Sequence, residues 1–457
     1  MTATEKKKGK IIRAILVAAA LAAFGAGAFL AWHQTQKGPS IVLVGMDALD
    51  WKILDPLLKE GKLPHFQALI DRGVHGELIT LQSTYISASI WNTILTGKIP
   101  AHHGIHGFVT TQGFAFNSTA RITKFLPQIL SDQGIVTAAI GFWATWPADK
   151  ISGYIVSDLA SYGRFKDLNP AVNKNVRDYN YLKDIQRVTW PEDLLNEILP
   201  VMLSPGQVPR SVYERVLSMT DPRWEEFKKI EEVQRDSDLS LLKFSVVTDY
   251  NFHRAGLEII RRHHPRAYMI YFQGPDIMEH FFWKYMEPEY FQDHVTPEQA
   301  QRFGEVIRNY YIFMDGLLGE TMAAADKNAL VVLCSDHGQN RVSYWGQDAT
   351  HSGEHCVTRP PGVFIIAGPG VAVEPDKKIS GPEVVDIAPT LLYLLGLPIG
   401  KDMDGMVAIQ LVTDEFKKNH ELRYIPTYDK DLERKEETFS PLDQEIKSRL
   451  RAIGYVD

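Results

Sequence analysis

Five short apolar runs constrain this chain more than any other feature: Ile41–Val44, Val136–Ile140, Ala267–Phe272, Leu330–Cys334 and Gly362–Ala367. Each stops at turn residues or at a switch to polar residues, and none alternates as a half-exposed strand does. Each therefore reads as a strand buried on both faces. Helical stretches lie between them. This alternation predicts an α/β fold, a mostly parallel sheet flanked by helices. In such sheets ligands bind beyond the carboxyl ends of the strands, so the chemistry is expected in the residues that follow each run.

Those residues are rich in metal-ligand types. Asp47 ends the first run through Gly45-Met46. By itself it is equally well a turn or helix-capping aspartate. Asp276 and His280 follow Ala267–Phe272, with Pro275 suited to a helix start. A spacing of four puts a carboxylate and an imidazole on one helical face, a pair that can hold a zinc-class ion; a capping Asp with a surface His is the plain alternative. Asp336-His337 follows Leu330–Cys334, and Gly338 permits the bend two adjacent ligands need to converge. A polar loop then offers His355 or His351, which chemistry alone does not separate.

A nucleophile candidate lies in Ile86-Ser87-Ala88-Ser89-Ile90-Trp91-Asn92-Thr93-Ile94-Leu95-Thr96-Gly97. From Ala88 this reads as a helix closed by Gly97, with Ser87 at its N-terminus. Backbone N–H groups and the helix dipole there favour an alkoxide and a phosphoryl group, and a metal would lower the hydroxyl's pKa. An ordinary N-cap serine is the commonest role at such a place.

Taken in order, these pieces resemble the alkaline phosphatase superfamily, most closely its type I phosphodiesterase/nucleotide pyrophosphatase-like branch. The resemblance runs from about Ile41 to Leu411. It rests on Gly45-Met46-Asp47, on Ser87 nine residues before Thr96-Gly97, and on Pro100-Ala101-His102-His103-Gly104-Ile105. It continues through Asp276 to His280, Ser335-Asp336-His337-Gly338 and Gly353-Glu354-His355. It implies two divalent metal ions about 4 Å apart. Asp276, His280 and His355, rather than His351, would hold one. Asp47, Asp336 and His337 would hold the other, with Ser87 beside it as ligand and nucleophile. Zinc fits the mixed Asp/His set best, with manganese as the alternative. The implied reaction is hydrolysis of phosphate esters through a phosphoseryl intermediate. The chain departs from the nucleotide pyrophosphatases at one position: they carry Asn three residues after the nucleophile, and here Ile90 stands there. His102 and His103 read as structural, in a turn closing the nucleophile helix, and Trp143, Trp146 and Pro147 as packing beside the sheet.

Three neighbouring readings follow from the same residues. A sulfatase or phosphonate hydrolase shares the superfamily, but Ser87-Ala88-Ser89-Ile90-Trp91 lacks the Pro and Arg of the sulfatase C/S-x-P-x-R motif. A transferase would pass a phospho-headgroup to a lipid or glycan, since an alcohol can replace water. A metal-bound binding or scaffold protein is the non-enzyme alternative.

The 457 residues suffice for one large domain with insertions, and a hydrophobic share of 45% against 23% charged supports a sizeable core. A net charge of −7 gives no basic bias, so nucleic-acid binding is not expected. Two cysteines, Cys334 and Cys356, make no disulfide framework. Residues 1–13 form a basic tail with Lys6, Lys7, Lys8, Lys10 and Arg13. Residues 14–32 carry no charge and would span about 28 Å as a helix, close to the hydrocarbon thickness. The expectation is a membrane anchor with a cytoplasmic N-terminus and an extracytoplasmic, periplasmic or extracellular, body. The alternative is a signal peptide cleaved near Ala26-Gly27-Ala28, leaving a secreted protein. Residues 33–40 read as a linker and 41–412 as the catalytic domain that meets the phosphoester substrate. Within it 161–250 reads as a helical insertion or cap, and 413–457 as a charged C-terminal tail.

Overall fold

The structure, a computed structural model, describes residues 40–110, 116–160, 179–231, 237–291, 294–341, 353–354, 359–432, 435–436 and 438. The expected anchor at 14–32 lies outside them. No described helix is long and apolar enough to cross a membrane.

The five apolar runs all form strands. In chain order the strands are β1 (Ile41–Met46), β2 (Gly73–Ile79), β3 (Thr137–Ile140), β4 (Gly153–Val156), β5 (Thr189–Trp190), β6 (Ala267–Phe272), β7 (Leu330–Cys334), β8 (Asn340–Arg341), β9 (Gly353–Glu354), β10 (Gly362–Ala367) and β11 (Lys378–Glu383). Nine of them make one sheet in the order β11-β2-β10-β7-β1-β6-β3-β4-β5. Five pairings are parallel, and three are antiparallel: β10 with β2, β10 with β7, and β4 with β5. The fold is thus mixed α/β around a large central sheet. Strands β1, β6, β7 and β10 are buried at every residue, which is why they read as unbroken apolar runs. Each fully buried Val, Leu or Ile contributes about 1.5–3 kcal/mol. Strands β2 and β11 carry His, Glu, Lys and Gly toward the sheet edge and gave no apolar run.

The stretch 161–250 is not purely helical in its described part. Edge strand β5 lies within it, too short to leave a periodic signal. Helix Asp238–His263 begins within it and packs along β6 and β3, so it belongs to the layer covering the sheet. The charged stretch after Thr413 is tied to the body. Tyr424–Ile425 pairs with Ile399–Gly400, and Lys435 forms an ion pair with buried Asp149.

Two helices matter for the site. Ser87–Thr96 is buried at all ten residues and ends at Gly97, whose φ of 68° is left-handed. His103 locks the turn that follows. Its Nδ1 accepts from the Ile105 N–H at 3.1 Å, and its Nε2 lies 3.1 Å from Thr93 Oγ1, which itself donates to the Ser89 carbonyl. The network assigns a neutral ring protonated at Nε2. His102 is exposed and pairs with Asp404 at 2.8 Å. The other helix, Gly274–Met286, follows β6. Asp249, fully buried on Asp238–His263, accepts from the N–H groups of Gln273 at 3.2 Å and Gly274 at 3.0 Å and from Tyr310 Oη at 2.8 Å. A helix N-terminus leaves such donors unsatisfied, and the carboxylate also suits the dipole. Gly274 is required here: a Cβ would lie 1.9 Å from Tyr310 Oη and 2.3 Å from Asp249 Oδ2.

Two outcomes are expected. Asp249→Ala leaves buried donors unpaired and lowers unfolding free energy by about 1–3 kcal/mol, read as a lower urea midpoint at unchanged m. Burial, then the nearby Arg121 charge, depresses the His103 pKa to about 3 from 6.5. The folded state therefore binds fewer protons than the unfolded chain between those values, and stability falls as pH drops below about 6.5. Between pH 7.5 and 5, denaturant titrations of His103→Gln should lose about 2 kcal/mol less than those of the wild type. Equal losses would contradict this.

Candidate active site

Three adjacent parallel strands deliver three carboxylates to one place. Asp47 follows β1, Asp276 follows β6 and Asp336 follows β7, and all three are fully buried. The Asp47 N–H bonds the Phe272 carbonyl at 2.9 Å, continuing the ladder one step past the strand ends. His337 Nε2 lies 3.4 Å from Asp47 Oδ1 and 3.4 Å from Asp336 Oδ2. On helix Gly274–Met286, His280 Nε2 lies 3.2 Å from Asp276 Oδ1, as the four-residue spacing predicts. Ligand atoms of Asp47, Asp276 and His337 all lie within 4.8 Å of one another. This trio draws from both expected triads, which therefore share one chamber.

Ser87 is the first residue of its helix, one past the cap position, which Ile86 occupies. Its Oγ lies 3.4 Å from Asp47 Oδ1 and 3.3 Å from His337 Nε2. The ordinary N-cap reading does not describe it. Ile90 is buried in the core. Asn92 donates to the carbonyls of Ala88 at 2.8 Å and Trp143 at 3.3 Å and accepts from Arg121 at 3.3 Å, so its amide is committed to structure. Trp146 donates to the Gln186 carbonyl at 2.9 Å, a packing role. His355 and His351 lie outside the described residues. Gly353–Glu354, just before His355, pairs with Asn340–Arg341 and packs on helix Gly274–Met286.

Several site residues carried no readable signal in the sequence. Tyr271 and Trp91 both donate to Asp47 Oδ2, and Tyr271 sits inside an apolar run where it looks like core. Gln339 Nε2 donates to Asp276 Oδ1 at 2.7 Å. Glu279, between Asp276 and His280 on the helix, is fully buried and accepts from Tyr311 Oη. Its position directly before His280 was the available clue.

The electrostatics of this chamber call for a cation. Burial first, then the charges of Asp336 and Asp276, push the Asp47 carboxyl well above the usual range. Burial likewise raises Asp336, with His337 opposing. Burial also raises Glu279 well above its ordinary value, against the Tyr311 hydrogen bond. Clustered buried carboxylates are costly unless a positive charge pairs them. Asp336 Oδ2, Glu279 Oε2 and Gln339 Oε1 are buried without hydrogen-bond partners among the described residues, and such orphans mark an incomplete network. An Asp/His donor set of this kind suits divalent cations of the zinc class. The residues present fit a metal centre.

The type I phosphodiesterase / nucleotide pyrophosphatase family matches residues 41–389. An arylsulfatase of Klebsiella aerogenes is 20% identical over 429 residues, 80% of this chain and 89% of the relative. A 2-O GAG sulfatase structure overlaps 82% of this chain and 74% of its own at 12% identity and a TM-score of 0.47. Human ectonucleotide pyrophosphatase / phosphodiesterase 5 overlaps 81% and 98% at 12% identity and a TM-score of 0.44. Members of the matched family use divalent metals. With Ser87 and its acids and histidines gathered at the strand ends and the family matched over most of its length, the chain belongs to the type I phosphodiesterase / nucleotide pyrophosphatase family of the alkaline phosphatase superfamily, as a hydrolase of phosphoric esters.

Proposed function

We propose that the chain cleaves phosphate mono- or diesters with Ser87 as nucleophile, through a phosphoseryl intermediate. The position of Ser87 Oγ carries the reading: from the first turn of its helix it faces Asp47 Oδ1 and His337 Nε2. Asp276, His280 and His355 would hold one metal ion; Asp47, Asp336 and His337 would hold the other, beside Ser87. When bound, two divalent cations, zinc ahead of manganese, supply the positive charge that neutralises the acids and the transferring phosphoryl group.

The chain's own residues then do the following. Ser87 Oγ donates to Asp47 Oδ1, so its proton already points at an acceptor. As the Oγ–P bond forms, the Oγ proton passes to Asp47 Oδ1, the ester P–O bond breaks, and the departing oxygen takes a proton from solvent to leave as the alcohol. The N–H groups of the helix start face the phosphoryl oxygens, where the dipole favours negative charge. Water then attacks the same phosphorus and gives up a proton to solvent, while Oγ takes back the proton held at Asp47 Oδ1 and departs as the serine hydroxyl.

Phosphate rather than sulfate esters fit this site, because Ser87-Ala88-Ser89-Ile90-Trp91 lacks the sulfatase Pro and Arg. Ile90 in place of Asn leaves nucleotide diesters without a special claim. The basic stretch before uncharged residues 14–32 supports an anchored, extracytoplasmic catalytic domain at 41–412.

Ser87→Ala should lower turnover of aryl phosphate mono- and diesters at least about 10³-fold. Unchanged turnover would sink the nucleophile assignment. Chelator-stripped protein should be inactive, and Zn²⁺ or Mn²⁺ should restore it. The restored enzyme should act faster on aryl phosphate than on aryl sulfate. Full activity after stripping would contradict the metal reading.

A further inference from the structure

The acid that faces Ser87 is itself held from behind. Trp143 Nε1 donates to Tyr271 Oη at 2.8 Å. An indole N–H can only donate, so Tyr271 Oη accepts there and spends its one proton on Asp47 Oδ2. Trp91 Nε1 donates to the same oxygen at 3.3 Å. Oδ2 therefore carries two buried donors, while Oδ1 alone lies toward Ser87 and His337 at 3.4 Å each.

The donors are fixed by packing. Trp91 and Tyr271 meet edge-on with ring centroids 5.0 Å apart, and Phe142 packs against both at 5.9 and 5.8 Å. Trp91 is fully buried. Its ring fills the space over Gly45, where a Cβ would lie 2.6 Å from Trp91 Cη2 and Cζ3. The glycine two residues before Asp47 thus admits the indole that holds Asp47.

We infer that Tyr271 and Trp91 form a two-donor clamp on Asp47 Oδ2 that commits Oδ1, and only Oδ1, to Ser87 and to the cation of the Asp47, Asp336 and His337 triad. The inference rests on the metal reading proposed above. Swinging the carboxylate round would strand an indole N–H and a phenol in a buried site, and such unmade bonds are costly. Tyr271 and Trp91 are positioning residues: they act on the centre through Asp47. Partners that orient a ligand commonly govern metal affinity.

The test uses full-length, chelator-stripped protein titrated with Zn²⁺ by calorimetry, with bound metal counted by elemental analysis. Wild type and Tyr268→Phe should each bind two ions. Tyr268 is the control because its hydroxyl, on the same strand, is buried without a partner among the described residues. Tyr271→Phe should keep one ion at wild-type affinity and bind the second about 10–100-fold more weakly. If Tyr271→Phe does not fold, Trp91→Phe should give the same selective loss. A variant that titrates like a two-ion wild type, or weakens both ions equally, overturns the clamp alone. A wild type that takes up no ion overturns the metal reading and the clamp with it.

Discussion

The structure depends on the repulsion among Asp47, Asp276 and Asp336. Three parallel neighbours, β7, β1 and β6, end at the same level, and each is followed by a fully buried carboxylate. Such a group of acids is tolerable only if something positive sits among them or if they surrender their charge. The chain supplies partial relief: His337 and His280 stand against them, and Tyr271, Trp91, Gln339 and the Ala48 N–H donate to their oxygens. These neutral donors orient the carboxylates without cancelling them. What is left over is a group of acids and histidines suited to a divalent cation, and Ser87 at the start of its helix faces it.

The surrounding packing can be understood as holding that group in place. Asp249 and Gly274 set where helix Gly274–Met286 begins, and so where Asp276 and His280 stand. His103 and Thr93 fasten the far end of the Ser87 helix. Lys98, nearly buried, joins Asp402 and Asp429 at 2.6 and 2.7 Å and ties the later part of the chain to the same helix end. Rigid elements rather than loops carry the described site residues, which suits chemistry that depends on sub-ångström placement.

The central strands were legible in the sequence because burial on both faces removes every polar residue from them; β1, β6, β7 and β10 could hardly read otherwise. The convergence of Asp47, Asp276, Asp336 and His337 was legible because each follows such a run, and the four-residue step from Asp276 to His280 survives as a 3.2 Å contact. Edge strands were not legible: β11 is largely exposed and β5 has only two residues. Nor were the groups that orient the acids. Tyr271 is indistinguishable from core in an apolar run, and Gln339 has no partner within its own segment. Their roles arise from contacts across 224 and 63 residues, which no local pattern records. Ser87 lay between these cases, since the same residue at a helix start can cap or attack, and only the direction of its hydroxyl separates the two.

The stereochemical course at phosphorus tests the central claim most directly. Each in-line displacement inverts the phosphorus centre, so attack by Ser87 followed by attack of water returns it to its starting configuration. A chiral thiophosphate diester hydrolysed in isotopically labelled water should therefore give product with retained configuration. Net inversion would mean that water attacks the ester directly, and that Ser87 is not the nucleophile.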